Sequence, residues 1–275
     1  MDRTPETNEA VLYKETKEAL QKASATPYNN AAAIYHAAGI EPDMRLGGSC
    51  LDKLVVLQNA LPEEVKQHIR FITSQVGKTT HFAAIATFGK GEYYLDPFLW
   101  QSEPMNLSDN NDIQSPTMSG NWVIRRKHLG ISPLTMSFVE VAREGKPEKA
   151  VVVHQFLEEI DQLPSMIDLN VRPDLPSYHM QILSLDGRYL YKIWFLKEAG
   201  EMGEISVLDG ATGVRTRIPP EDEVLRVVTI SDIASSLEVT PQEIKDYFGK
   251  AYELEKQLAA SGIKRSAIGD HEGLG

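Results

Sequence analysis

A thiol enzyme needs three side chains: a cysteine to attack, a histidine to take its proton and a carboxylate to orient the histidine. The chain carries one cysteine, Cys50, in the run Leu46-Gly47-Gly48-Ser49-Cys50. His81 and Asp96 follow it in the order that chemistry expects. A lone cysteine is usually a small buried hydrophobe, so the case for chemistry rests on what surrounds it.

The surroundings favour a nucleophile. Leu51, Leu54, Val55, Leu57 and Leu61 fall close to amphipathic-helix spacing. Ser49 is placed to cap this helix and Pro62 to close it. Cys50 then lies in the first turn, where unbonded amides and the positive end of the helix dipole favour thiolate over thiol. Gly47 and Gly48 permit a sharp turn and a close approach of substrate to the backbone. The Cys50 amide is a candidate oxyanion donor.

Thr80–Phe88 and Glu92–Asp96 read as strands around Gly89-Lys90-Gly91. A two-residue Gly89-Lys90 turn, glycine first as type II′ requires, pairs Phe88 with Gly91 and hence Ala83 with Asp96. His81 then shares a face with Asp96 as a diagonal neighbour within side-chain reach. A three-residue loop would put the two on opposite faces. We expect the two-residue register.

These residues resemble the arylamine N-acetyltransferase family, within the wider group of transglutaminase-like and papain-like thiol enzymes. The family's Arg-Gly-Gly-x-Cys motif is matched by Gly47-Gly48-Ser49-Cys50, with Arg45 one place early. Its histidine opens a strand and its aspartate closes the next, fifteen residues on, as His81 and Asp96 do. Asp168-Leu169-Asn170 and Ser177-Tyr178-His179-Met180 are similar, more weakly, to the stretch leading into the family's last β domain. The resemblance implies Cys50 as acyl-accepting nucleophile, His81 as base and Asp96 as orienter, on a cysteine-proteinase-like core. Two places differ. The family's Glu and Asn after the cysteine are replaced by Leu51-Asp52-Lys53-Leu54, and its glycine-phenylalanine-glycine turn by Pro97-Phe98-Leu99-Trp100. That turn helps admit the acyl donor in the family, so the donor stays open between acetyl-coenzyme A and another acyl carrier.

Composition sets the outer limits. A length of 275 residues allows one large or two to three small packed units. A net charge of −11 argues against nucleic acid or an anionic membrane as the main partner. One cysteine excludes an internal disulfide framework. No apolar run reaches the length of a membrane span and the first residues do not open a signal peptide, so a cytoplasmic protein is expected. Zinc spacing, a P-loop and a dinucleotide fingerprint are all lacking. Small molecules are the expected partners, with no permanently held cofactor and no metal.

Elsewhere the signals are structural. Glu9–Ala23 and Asn29–Ala38 read as helices, with His36 as a packing or surface residue. Pro62 stands at the first position of a short helix, His68 reads as exposed, and Ile69–Ile72 reads as a strand leading to Gly77. Residues 102–121 form a long polar loop, either a lid or disordered. Arg125-Arg126-Lys127-His128 is either an anion site or a solvated strand end. Thr135–Val141 reads as a strand, and Pro147–Leu163 is undecided between strand and helix. Met180–Leu185 and Tyr189–Leu196 form a hairpin on Asp186-Gly187, and the meander continues to Ile218. Ser231 is a candidate cap for Ile233–Leu237, and Thr240-Pro241-Gln242-Glu243 opens a final helix.

The expected architecture is α+β. A helical lobe over 1–78 carries the nucleophile, a β region over 79–145 carries His81 and Asp96, and a β meander with helix fills 146–275. The expected function is acyl transfer through a cysteine thioester to an amine or alcohol, with ping-pong kinetics. Phe98 and Trp100 are candidates to line the acyl pocket, or else core aromatics. A transglutaminase-like or papain-like hydrolase uses the same triad, and a binding protein on the same scaffold would have lost the chemistry. An activated thiol predicts selective alkylation of Cys50 by iodoacetamide well below pH 8.5, lost in His81→Ala.

Overall fold

The computed structural model describes residues 5–76, 79–107, 113–115, 122–129, 136–143, 146–160, 163, 177–212 and 214–261; the side chains of 5–7, 74–80 and 113–160 are not described. Its elements are α1 (Pro5–Ala25), β1 (Tyr28–Asn29), α2 (Ala32–Ala37), α3 (Cys50–Ala60), α4 (Glu63–Lys66), β2 (Ile69–Val76), β3 (Thr79–Phe88) and β4 (Gly91–Leu95). A 3-10 turn at Pro97–Leu99 leads to β5 (Met105–Asn106), β6 (Ile113–Ser115), β7 (Trp122–Leu129), β8 (Met136–Arg143) and β9 (Lys146–Ile160). The last third holds β10 (Ser177–Leu183), β11 (Tyr189–Leu196), β12 (Glu201–Asp209), β13 (Arg215–Ile218), α5 (Glu223–Ser236) and α6 (Pro241–Ala260). The fold class is α+β, with helices packed on two antiparallel sheets.

The larger sheet has the order β5-β4-β3-β2-β9-β8-β7-β6. It crosses both expected boundaries, because β2 pairs with β3 and β9 returns to pair with β2 and β8. Those pairings also make 147–160 strand: two strand neighbours win over its helical spacing. Phe82, Ala84, Ala86 and Phe88 of β3 share a core with Leu51, Leu54 and Leu57 of α3 and with Leu12 and Leu20 of α1. Ala83 and Ile85, on the opposite face, pack with Ile72, Tyr94, Leu99 and Met105. Full burial of each α3 leucine contributes about 1.5–3 kcal/mol, which holds the helix that begins at Cys50 on the sheet.

The smaller sheet runs β1-β10-β11-β12-β13, with the Gly187 turn at φ 70° closing its first hairpin. Its core joins Met180, Ile193, Phe195 and Ile205 to Ile233 of α5 and to Ile244 and Phe248 of α6. Trp100, Leu190 and Leu208 make a separate cluster, so the turn after Asp96 packs on this second sheet.

Three local expectations need correction. Helix α5 begins at Glu223, capped by Asp222, well before Ser231. Pro62 is the cap of α4 and not its first residue. His68 is half-buried, edge-on to Phe88 at 5.9 Å, in the turn just before β2, where its carbonyl accepts from the Thr87 amide at 2.9 Å. Most of the 102–121 loop, the side chains of the basic cluster 125–128 and Asp168-Leu169-Asn170 lie outside the described residues.

Helix α6 is tied to the smaller sheet by a buried ion pair. Lys197 Nζ lies 2.8 Å from Glu255 Oε2, Tyr178 donates its hydroxyl to the same carboxylate, and the ammonium stands over the Tyr178 ring. Replacing one partner strands the other charge. Glu255→Leu is therefore expected to cost about 3–5 kcal/mol in urea unfolding, and the double change Lys197→Met with Glu255→Leu to recover most of it.

Candidate active site

The turn that presents Cys50 is seated on β1 of the smaller sheet. Gly48 bridges Tyr28 of β1; its amide donates to Pro27 O at 3.1 Å and its carbonyl accepts from the Asn29 amide at 2.8 Å. Asn29 Nδ2 donates to Leu46 O at 3.1 Å. Gly47 takes φ 94°, and a Cβ there would lie 2.6 Å from the Pro27 carbonyl oxygen. A Cβ on Gly48 would lie 2.3 Å from that of Asp52. The glycine pair is thus required by close packing. The open approach for substrate that the sequence suggested at these two positions is filled by Pro27 and Asp52.

Ser49 caps α3 as expected, and the reason is a second carboxylate. Asp52 Oδ2 accepts from the Ser49 amide at 2.7 Å and from its hydroxyl at 2.8 Å, while Asp52 N donates back to Ser49 Oγ. Its other oxygen, Oδ1, lies 2.8 Å from His36 Nε2. Both side chains are buried. Burial opposes the charged imidazole, but the hydrogen bond and charge of Asp52 outweigh it and raise His36 above its ordinary value. His36 is therefore a support beneath the Cys50 turn.

The hairpin has the expected register. Phe88 pairs with Gly91 and Ala84 with Leu95, and Gly89 takes φ 55° in the turn. His81 Nε2 meets Asp96 Oδ2 at 2.9 Å. Asp96 has no exposed surface. Oδ2 also accepts from the Tyr94 hydroxyl at 2.9 Å, Oδ1 accepts from the Phe98 amide at 3.0 Å, and the Asp96 amide donates to Gln101 Oε1 at 2.8 Å. Burial works against a charged His81, yet Asp96, by charge and hydrogen bond, and then Cys50 raise it to about 10. Asp96 engages Nε2, and Cys50 lies close enough to the ring to add to the rise. Cys50 itself is half-exposed.

Rings wall this meeting point. Phe98 is half-buried, 5.2 Å from the His81 ring and 4.8 Å, edge-on, from Tyr28. Tyr28 is 5.3 Å from His179 of β10. Burial, then the neighbouring Cys50, pushes the Tyr28 phenol up. Burial, then Lys192, brings His179 down to about 3, so its ring is neutral at ordinary pH. Trp100 differs from Phe98. It is buried in the core with its ring face 3.9 Å from Lys53 Nζ, which is the core role weighed for it.

No protein-family model matches the chain, and comparison with curated proteins and with solved structures gives no match. The site therefore stands on its own geometry. Among the described residues, no three His, Cys, Asp or Glu side chains converge as a metal centre requires. A cleft of about 400 Å³ lined by Glu9, Ala10, Tyr13, Phe88 and Tyr93 lies at the turn end of the hairpin, away from His81 and Asp96. No helix among the described residues is long and apolar enough to cross a membrane.

Two buried groups pull stability in opposite directions with pH. His81 keeps its proton to about 10 when folded and to 6.5 ordinarily, so the native state binds more protons between these values and stability falls as pH rises. Burial, against the opposing charge of Asp96, lowers Lys53 from 10.5 to about 7. There the unfolded state binds more protons, and stability rises with pH. Urea unfolding of His81→Gln and Lys53→Met between about pH 7 and 9.5 should separate the two. Relative to wild type, the first gains stability as pH rises and the second loses it. Parallel curves for all three proteins would contradict both assignments.

Proposed function

We propose that this protein is an acyltransferase that works through a thioester on Cys50. One observation carries the reading: a single imidazole lies between a fully buried, fully hydrogen-bonded carboxylate and a half-exposed thiol at a capped helix start. The same arrangement, with a nucleophile helix packed on an antiparallel hairpin bearing His and Asp, is what arylamine N-acetyltransferase-like and other cysteine-proteinase-like cores present. The proposed setting is the cytoplasm, and the proposed donor is a small acyl thioester, acetyl-coenzyme A or another carrier.

Each residue has a defined task. His81 takes the Cys50 proton, and Asp96 fixes the ring so that Nδ1 faces the sulfur. The thiolate attacks the acyl carbonyl. The resulting oxyanion lies against the first turn of α3, where the Cys50 amide has no acceptor within the helix. Collapse expels the donor's thiolate, which takes up the proton from His81, and leaves the acyl group on sulfur. An amine or alcohol then attacks this thioester, giving its proton to His81 as the Cys50 thiolate departs. Phe98 and Tyr28 border the site and limit access of water to the acyl-enzyme.

Intact-mass measurement after exposure to acyl thioesters tests this directly. One acyl adduct is expected in wild type and none in Cys50→Ser. In His81→Ala its formation should slow by about 10²–10⁴. An adduct that discharges to free acid as fast without an amine as with one would indicate a hydrolase. No adduct, with Cys50 alkylation indifferent to His81→Ala, would indicate a binding protein.

A further inference from the structure

Lys53 is a buried charged residue beside the site that the proposed chemistry leaves unused. It has no exposed surface, although it lies one helical turn after Cys50. Its Nζ donates to Ser24 O at 3.0 Å and to Thr26 O at 2.7 Å, the carbonyls at the end of α1 that have no amide partner further along the helix. It also stands over the Trp100 ring at 3.9 Å. Desolvating an ammonium is costly unless something nearby needs it, and cation–π contact with two carbonyl bonds only partly offsets that.

Both halves of the site hang from these contacts. Thr26 precedes Pro27, whose carbonyl receives the Gly48 amide and packs against Gly47, so the α1 end seats the turn that presents Cys50. Trp100 follows the 3-10 turn whose first amides bind Asp96, and Ser24 Oγ donates to the Gln101 carbonyl at 2.9 Å. From α1, Lys53 faces carbonyls; from the turn it faces the Trp100 ring and, at longer range, the Asp96 carboxylate, through which it senses His81 and Tyr94. We infer that Lys53 is a positioning residue: its buried ammonium holds the Cys50 turn and the Asp96 turn in register and makes Cys50 reactivity depend on the charge at residue 53. This inference rests on the thiol reading above and adds a means of regulating it, because a residue that loses its proton near neutrality makes the site sensitive to physiological pH.

The test is the iodoacetamide alkylation rate of Cys50 in the full chain, in wild type, Lys53→Met and His81→Ala, from pH 6 to 8.5. Lysine 13Cε NMR of wild type follows the Lys53 titration itself, its signal identified by its loss in Lys53→Met. The ratio of wild-type to Lys53→Met rates should be about ten at pH 6, one pKa unit of lost charge interaction, and should approach one at pH 8.5. Taking the ratio removes the ionisation of the thiol itself. A ratio that does not change with pH, in folded protein, reduces Lys53 to a structural anchor and overturns the inference. Where Lys53→Met does not fold, wild type decides: a shoulder in the alkylation profile at the Lys53 midpoint supports the inference and a smooth profile overturns it. Equal alkylation of wild type and His81→Ala would instead sink the thiol reading, an outcome distinct from either.

Discussion

Asp96 is a carboxylate with no contact with water, and its oxygens are satisfied from several parts of the chain. His81 comes from the neighbouring strand, Tyr94 from its own strand, and the Phe98 amide from the turn that follows. An ion buried this deeply is tolerated only with such a complement, and removing any one donor exposes the rest of the arrangement to its desolvation cost. The hairpin register, the tight turn at Pro97–Leu99 and the placing of Gln101 all serve this one group. His81 is raised because the Asp96 carboxylate beside it is held dry.

A second buried carboxylate does the same work on the nucleophile side. Asp52 accepts from Ser49 twice and from His36 once, and its side chain occupies the space above Gly48. The site therefore holds two imidazole–carboxylate pairs, His36–Asp52 beneath the cysteine turn and His81–Asp96 on the hairpin, with Lys53 placed between their supporting loops.

What could be read in advance was local. The Gly89-Lys90 turn fixes register through backbone geometry alone, so the His81–Asp96 meeting was legible before any coordinates. Ser49 as cap follows from one residue type at a helix start. The partners that arrive from a distance were not legible. His36 is sixteen residues from Asp52, and nothing local in Tyr35-His36-Ala37 marks it as a support. Lys53 left a faint sign, a lysine three residues after Cys50 on the apolar side of α3, which the leucine spacing obscured. Helix α5 was half missed because Val224, Val227 and Val228 are exposed, placing apolar residues on the face where helical periodicity expects polar ones.

These long-range supports explain why the two sheets share one site. Tyr28 belongs to the smaller sheet yet lies beside Cys50 and edge-on to Phe98, while Trp100 leaves the larger sheet's hairpin to pack on Leu190 and Leu208 of the smaller. Each sheet thus donates an aromatic to the other's half. A shift between the sheets would draw Tyr28 from the thiol and Trp100 from Lys53 together, disturbing the nucleophile and the carboxylate turn at once. Close packing at this junction, more than any single side chain, is what keeps Cys50, His81 and Asp96, which come from separate elements, near one another.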